Sequence, residues 1–208
     1  MHLYAFGSIC RGEIDLGSDV DLLACIDDTP VEIDVEKYSI YHYDRLVKLW
    51  EEGNPFAWHL YLESKLLFAS DGDDFLRGLG KPKEYSNASS DLDKFRLLFE
   101  RSYTALSHSK NSTVFHLSCI FLAIRNYATC YSLSMQKPIF SRNSPLLINP
   151  KLNIDPEAFS ILVRARLLST RGFGVNISDS ETVFAHNAVS NVLQWMDTLR
   201  SNQSNDRI

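Results

Sequence analysis

Gly7-Ser8, Arg11 and the pair Asp19 and Asp21, which flank Val20, could do chemistry together near the amino terminus. Glycine lets a backbone approach a ligand closely, and a chain turning into a helix just beyond it offers unpaired N–H groups to an anion. Ser8 adds a hydroxyl beside those amides. Asp19 and Asp21 stand at the start of the apolar run Leu22 to Ile26, and on a strand residues two apart point to the same side. Two carboxylates facing a phosphate-gripping bend make a site for Mg²⁺ bridging to a triphosphate. Asp-x-Asp alone, or Gly-Ser alone, is usually a turn or a solvated edge. The weight lies on the two occurring in one register.

The elements that must position these groups are short. Tyr4-Ala5-Phe6 is an apolar strand that ends at Gly7. Leu22 to Ile26 is a second. Asp27-Asp28-Thr29-Pro30 reads as a turn, and Val31 to Ile40 (VEIDVEKYSI) alternates as a half-buried strand should. Val31, Ile33 and Val35 would share one face; Glu32, Asp34 and Glu36 the other.

The string from Leu3 to Ile26, with Gly7-Ser8, Arg11-Gly12 and Ser18-Asp19-Val20-Asp21-Leu22, resembles the signature of the DNA polymerase β-like nucleotidyltransferase superfamily, especially its small bacterial and archaeal members. Cys10 stands where alanine is usual. The resemblance implies a catalytic site of Asp19, Asp21 and a third acid on the neighbouring strand. Asp34 and Glu32 compete for that role, with Asp34 preferred as nearer the middle of the strand. It also implies that Gly7, Ser8, Arg11 and Ser18 bind the nucleotide, with ATP the expected donor, and that Mg²⁺ lies on Asp19, Asp21 and Asp34. Relatives usually carry a helix before the first strand, which here begins at Leu3, so part of the sheet's cover is left unassigned.

Composition sets bounds on the rest. The 208 residues, 45% hydrophobic and 23% charged, allow one large or two small domains with a sizeable core. A net charge of −5 disfavours an extended nucleic-acid surface. No apolar run is long enough for a membrane span and no secretory signal is evident, so a cytoplasmic location is expected. Cys10, Cys25, Cys119 and Cys130 lack CxxC spacing and read as reduced thiols.

The expected fold class is α+β, an N-terminal mixed-sheet nucleotidyltransferase domain over 1–70, a linker over 71–90, a helical bundle over 91–201 and a frayed tail over 202–208. In the first domain, helices are expected at Tyr43 to Glu52 and from Asn54-Pro55, followed by a strand at Lys65 to Ala69. In the second, four helices are expected, over Asp91 to Ser109, over Ser112 to Ser134, from Asp155 or Pro156, and from Ser178 or Asp179 through Met196. This half resembles the helical domain that accompanies such transferases, or a separate HEPN protein. Arg125-Asn126 is similar to the start of the HEPN ribonuclease motif. Thr129, Cys130 and Tyr131 stand where its histidine would, so RNA cleavage is not expected. Arg164, Arg166 and Arg171 read chiefly as a solvated face.

The resemblance leaves two acceptors open. One is a hydroxyl of a small molecule such as an aminoglycoside or lincosamide, for which an acidic chain suits a cationic sugar. The other is a protein hydroxyl, as in antitoxins that adenylylate a partner toxin. A nucleotide-binding or interaction module without turnover, acting in a defence system, is the non-enzyme alternative.

Overall fold

The computed structural model describes residues 1–13, 20–27, 33–108 and 111–205. The chain divides into two compact units, Met1–Asn87 and Ala88–Ile208. Its architecture is α+β, with a four-stranded mixed sheet near the amino terminus followed by mostly helical segments.

In the first unit, strand β1 (His2–Phe6) leads into a single helical turn, α1 (Ser8–Arg11). Strands β2 (Asp21–Ile26) and β3 (Tyr38–His42) follow, then helices α2 (Tyr43–Glu51) and α3 (Pro55–Glu63), strand β4 (Ser64–Ala69) and the short helix α4 (Phe75–Gly78). The strand order is β3-β2-β1-β4. β1 runs antiparallel to both β2 and β4, whereas β3 runs parallel to β2. Tyr4, Phe6, Leu23 and Cys25 face one side of the sheet and bury themselves against Leu46, Trp50, Ala57, Leu60 and Leu76. The helix boundaries follow readable caps. Asn54 accepts from the Phe56 amide, and Asp74 from that of Arg77.

Residues 71–87 pack on this unit. Tyr4 is 1% exposed; its hydroxyl donates to Asp74 Oδ1 at 2.9 Å and accepts from the Leu76 amide at 3.0 Å. The indoles of Trp50 and Trp58 donate to the carbonyls of Gly80 and Lys83, at 2.9 and 3.0 Å. Both rings thus fasten the chain and are not set out as stacking platforms. Gly53 makes that approach feasible, since a Cβ there would lie 2.3 Å from the Glu84 carbonyl oxygen.

The expected strand over Val31 to Ile40 is corrected over residues 33–37, with Val31 and Glu32 outside the described residues. Residues 35–37 form a turn and the strand begins only at Tyr38. The parallel pairing gives the reason. Tyr38 pairs with Leu22, at the start of β2, so the chain must first return roughly 20 Å along β2 before the ladder can begin.

In the second unit, helix α5 (Ala88–His108) precedes α6 (Thr113–Ser134), a short α7 (Ser144–Leu147), α8 (Pro156–Arg171), α9 (Asp179–Ala188) and α10 (Val192–Asn205). α6 is the central element, packed against α5, α8 and α10. Its apolar character on all sides fits that place, with Leu117, Ile120, Ala123 and Ile124 fully buried. Truncating Ile124 to alanine should cost about 2–5 kcal/mol, read as a lowered denaturation midpoint of this unit.

Asp155 caps α8 through the Glu157 and Ala158 amides, and Ser178 and Glu181 form a capping box on α9. The single helix expected through Met196 is two. The chain breaks at Val189 to Asn191, where Val189 is fully buried and the Asn191 side chain donates to the Asn153 carbonyl at 2.8 Å. α10 then continues past Ser201, and its buried Gln203 donates to Ser134 Oγ at 2.8 Å. Arg200 pairs with Asp93, and Arg96 with Asp197, tying α5 to α10.

Candidate active site

The sheet brings four chain ends to one edge. β1 ends at Phe6, opposite both Asp21 of β2 and Ser64 of β4, and β3 enters at the same edge, beside Leu22. Gly7 follows Phe6 directly. Its backbone, at φ 77° and ψ −139°, lies in a region that only glycine adopts without strain. A Cβ built on Gly7 would lie 2.7 Å from Asp21 Oδ2. The carboxylate of Asp21 therefore rests directly against the bend, on space that only the missing side chain leaves.

Beyond Gly7, the amides of Ser8 and Ile9 have no hydrogen-bond acceptor among the described residues, and neither does the Ser8 hydroxyl. α1 is only one turn long, so the anion-receptive groups are these few donors more than any helix dipole. Donors of this kind beside an exposed carboxylate set up a conflict of sign. An anion held by the amides is repelled by Asp21 unless a cation lies between them.

Asp19 and Ser18 lie outside the described residues, as does Glu32. Asp34 is described. It opens the turn before β3, whose first residue Tyr38 pairs with Leu22, and does not lie within a strand. Its carboxylate accepts from the Glu36 amide at 3.1 Å and meets Lys37 Nζ at 3.0 Å. The Lys37 hydrogen bond and the Glu36 amide hold its pKa below the ordinary carboxylate value. Among the described residues, no group of three acids, histidines or cysteines could hold a metal ion.

Arg11 is engaged by protein carboxylates. Its Nε donates to Glu13 at 3.0 Å, and its Nη1 pairs with Glu63, the last residue of α3. His59 Nε2 lies 3.0 Å from the same Glu63 oxygen, and the Gly7 amide donates to the Glu63 carbonyl at 3.1 Å. Phe6 packs edge-on against the His59 ring. Glu63 thus fixes the bend from behind, by its backbone and its side chain together. Sequence analysis assigns nothing to His59 and Glu63. The available signal was their i, i+4 spacing on a helix that starts with Asn54-Pro55. Cys10, in the alanine position of the resemblance, directs its thiol at the Ala5 carbonyl, 3.4 Å away, and burial pushes its pKa up.

Burial alone would raise the Glu63 pKa; the adjoining His59 ring and the charge of Arg11 outweigh it and hold the carboxyl below its ordinary value. A group depressed on folding adds stability above its unfolded pKa and loses it as pH falls through the folded one. Glu63→Gln should therefore flatten the stability profile between about pH 5 and pH 3, and cost on the order of 1–3 kcal/mol at neutral pH. Denaturant titrations across that range check this. An unchanged acid limb in the variant would show that the cluster does not brace the bend.

In the second unit, Arg125 Nη2 donates to the Phe140 carbonyl at 2.9 Å, and Arg164 pairs with Glu181. Both serve the packing of the helices. No family model matches the chain, and no curated protein matches it.

Proposed function

We propose that this chain is a Mg²⁺-dependent nucleotidyltransferase of the DNA polymerase β-like kind, moving a nucleoside monophosphate from a triphosphate, ATP first among them, to a hydroxyl. The observation that carries the reading is Asp21 seated against the glycine bend at the Gly7-Ser8 turn. Hard carboxylate oxygens suit magnesium, and an anionic triphosphate on these amides requires a cation beside Asp21.

Asp21 and Asp19 would hold the metal, with Asp34 or Glu32 as the third acid. The ion would supply charge neutralisation on the transferred phosphoryl group and its leaving pyrophosphate. The Ser8 and Ile9 amides and the Ser8 hydroxyl would bind the terminal phosphates. Arg11, held by Glu13 and Glu63, would position the turn and not meet phosphate directly. The third acid, in its ionised form, would accept the proton of the acceptor hydroxyl.

The test is incubation with labelled ATP, GTP, CTP and UTP and Mg²⁺, against a sugar-antibiotic panel and a cell lysate. Label on a small molecule or on a protein separates the two acceptor classes, and Asp21→Asn should remove it. The engagement of Asp34 by Lys37 favours one second reading, a nucleotide-binding module without turnover. That reading predicts calorimetric nucleotide binding with no pyrophosphate released against either acceptor class.

A further inference from the structure

The second unit contains a cleft of about 450 Å³, within the size range of small-molecule sites. It lies where α6 ends and the chain passes through residues 137–149, with α10 contributing Asn202. Its lining mixes apolar side chains, Met135, Ile139 and Leu147 among them, with polar ones; Tyr131 and Ser132 donate their hydroxyls to the Asn149 and Thr129 carbonyls, which leaves three, Lys137, Asn149 and Asn202. Among the described residues, none of those three polar side chains has a hydrogen-bond or ion-pair partner.

Lys137 follows the end of α6, where a lysine commonly serves the last carbonyls. Here the backbone already does so. Gln136, in the left-handed conformation at φ 57°, donates its amide to the Leu133 carbonyl, and the Lys137 amide donates to that of Ser132 at 2.9 Å. The ammonium is thereby left for something else. Among the described residues no carboxylate lines the cleft, and the one charge they bring to it is positive.

We propose that this cleft binds a small amphipathic anion, an apolar body carrying one carboxylate- or sulfonate-like group. Lys137 meets the charge, the carboxamides of Asn149 and Asn202 meet the remaining polar atoms, and Met135, Ile139 and Leu147 cover the body. One ammonium and two neutral amides balance a single negative charge and not a polyphosphate. The site is thus separate in chemistry from the proposed transferase site, and stands whether or not that reading holds.

The probe is 1-anilinonaphthalene-8-sulfonate, titrated into the full chain by fluorescence. The neutral N-phenyl-1-naphthylamine serves as the uncharged control. The expected result is saturable binding at one site, weakened about tenfold by Lys137→Glu and retained by Lys137→Arg. The neutral control should change little between variants. Because Lys137 is exposed, the variants should melt with the parent. Methyl NMR gives the location, with the Ile139 and Ile148 signals shifting on titration. Unsaturable binding, Lys137→Glu binding like the parent, or methyl shifts elsewhere than at these isoleucines would each overturn the proposal.

Discussion

Asp19→Asn combined with Asp21→Asn should give a folded protein whose nucleotidyl transfer is lower by at least about 10³-fold. The metal proposed for those carboxylates would supply several kcal/mol of charge stabilisation, and each 1.4 kcal/mol is about a factor of ten in rate. Folding should survive because Asp21 is exposed at the first position of β2 and asparagine keeps its shape against Gly7. The single Asp21→Asn variant should show most of the loss. Turnover assays beside circular dichroism and thermal melts check both halves. A folded double variant that retains transfer removes the assignment.

Gly7→Ala should lower both the turnover and the stability of the first unit. Two costs add at that position. The backbone, at φ 77° and ψ −139°, is strained by about 1–3 kcal/mol for any residue with a Cβ. The new methyl would also lie 2.7 Å from Asp21 Oδ2, so either the carboxylate or the bend must move. Displacements of about 1 Å at a reacting centre cost on the order of 10²-fold in rate, so a comparable loss of turnover is expected, along with a lower denaturation midpoint. Alanine at this position with turnover and midpoint near the parent's would show that the close approach of Asp21 to the bend has no part in activity.

Much of this geometry was readable from local rules. The caps Asn54, Asp155 and Ser178 mark three helix starts because each offers a side-chain oxygen to an amide two or three residues on. Gly7 marks the bend for a comparable reason, since its backbone angles exclude other residues. The strand reading failed over residues 33–37 because alternation registers which residues could share a face, and not whether a partner strand is present. Asp34 instead takes the Glu36 amide and Lys37, and that local bonding competes with an extended backbone.

Long-range features were less legible. The break between α9 and α10 depends on Asn191 reaching Asn153, and the bracing of Gly7 depends on Arg11 meeting Glu63 far along the chain. Neither partner follows from periodicity, which describes one element at a time. Asp19, Ser18 and Glu32 remain on the sequence reading alone.

The most direct test needs no acceptor. Mn²⁺, a spin-bearing substitute for Mg²⁺, is titrated into the parent and into the Asp19→Asn, Asp21→Asn variant, with a non-hydrolysable ATP analogue present or absent, and bound metal is followed by electron paramagnetic resonance. A metal–triphosphate site predicts tight Mn²⁺ binding in the parent only when the nucleotide is present, and its loss in the variant. Equal Mn²⁺ binding by both proteins, or nucleotide-independent binding in the parent, would contradict it.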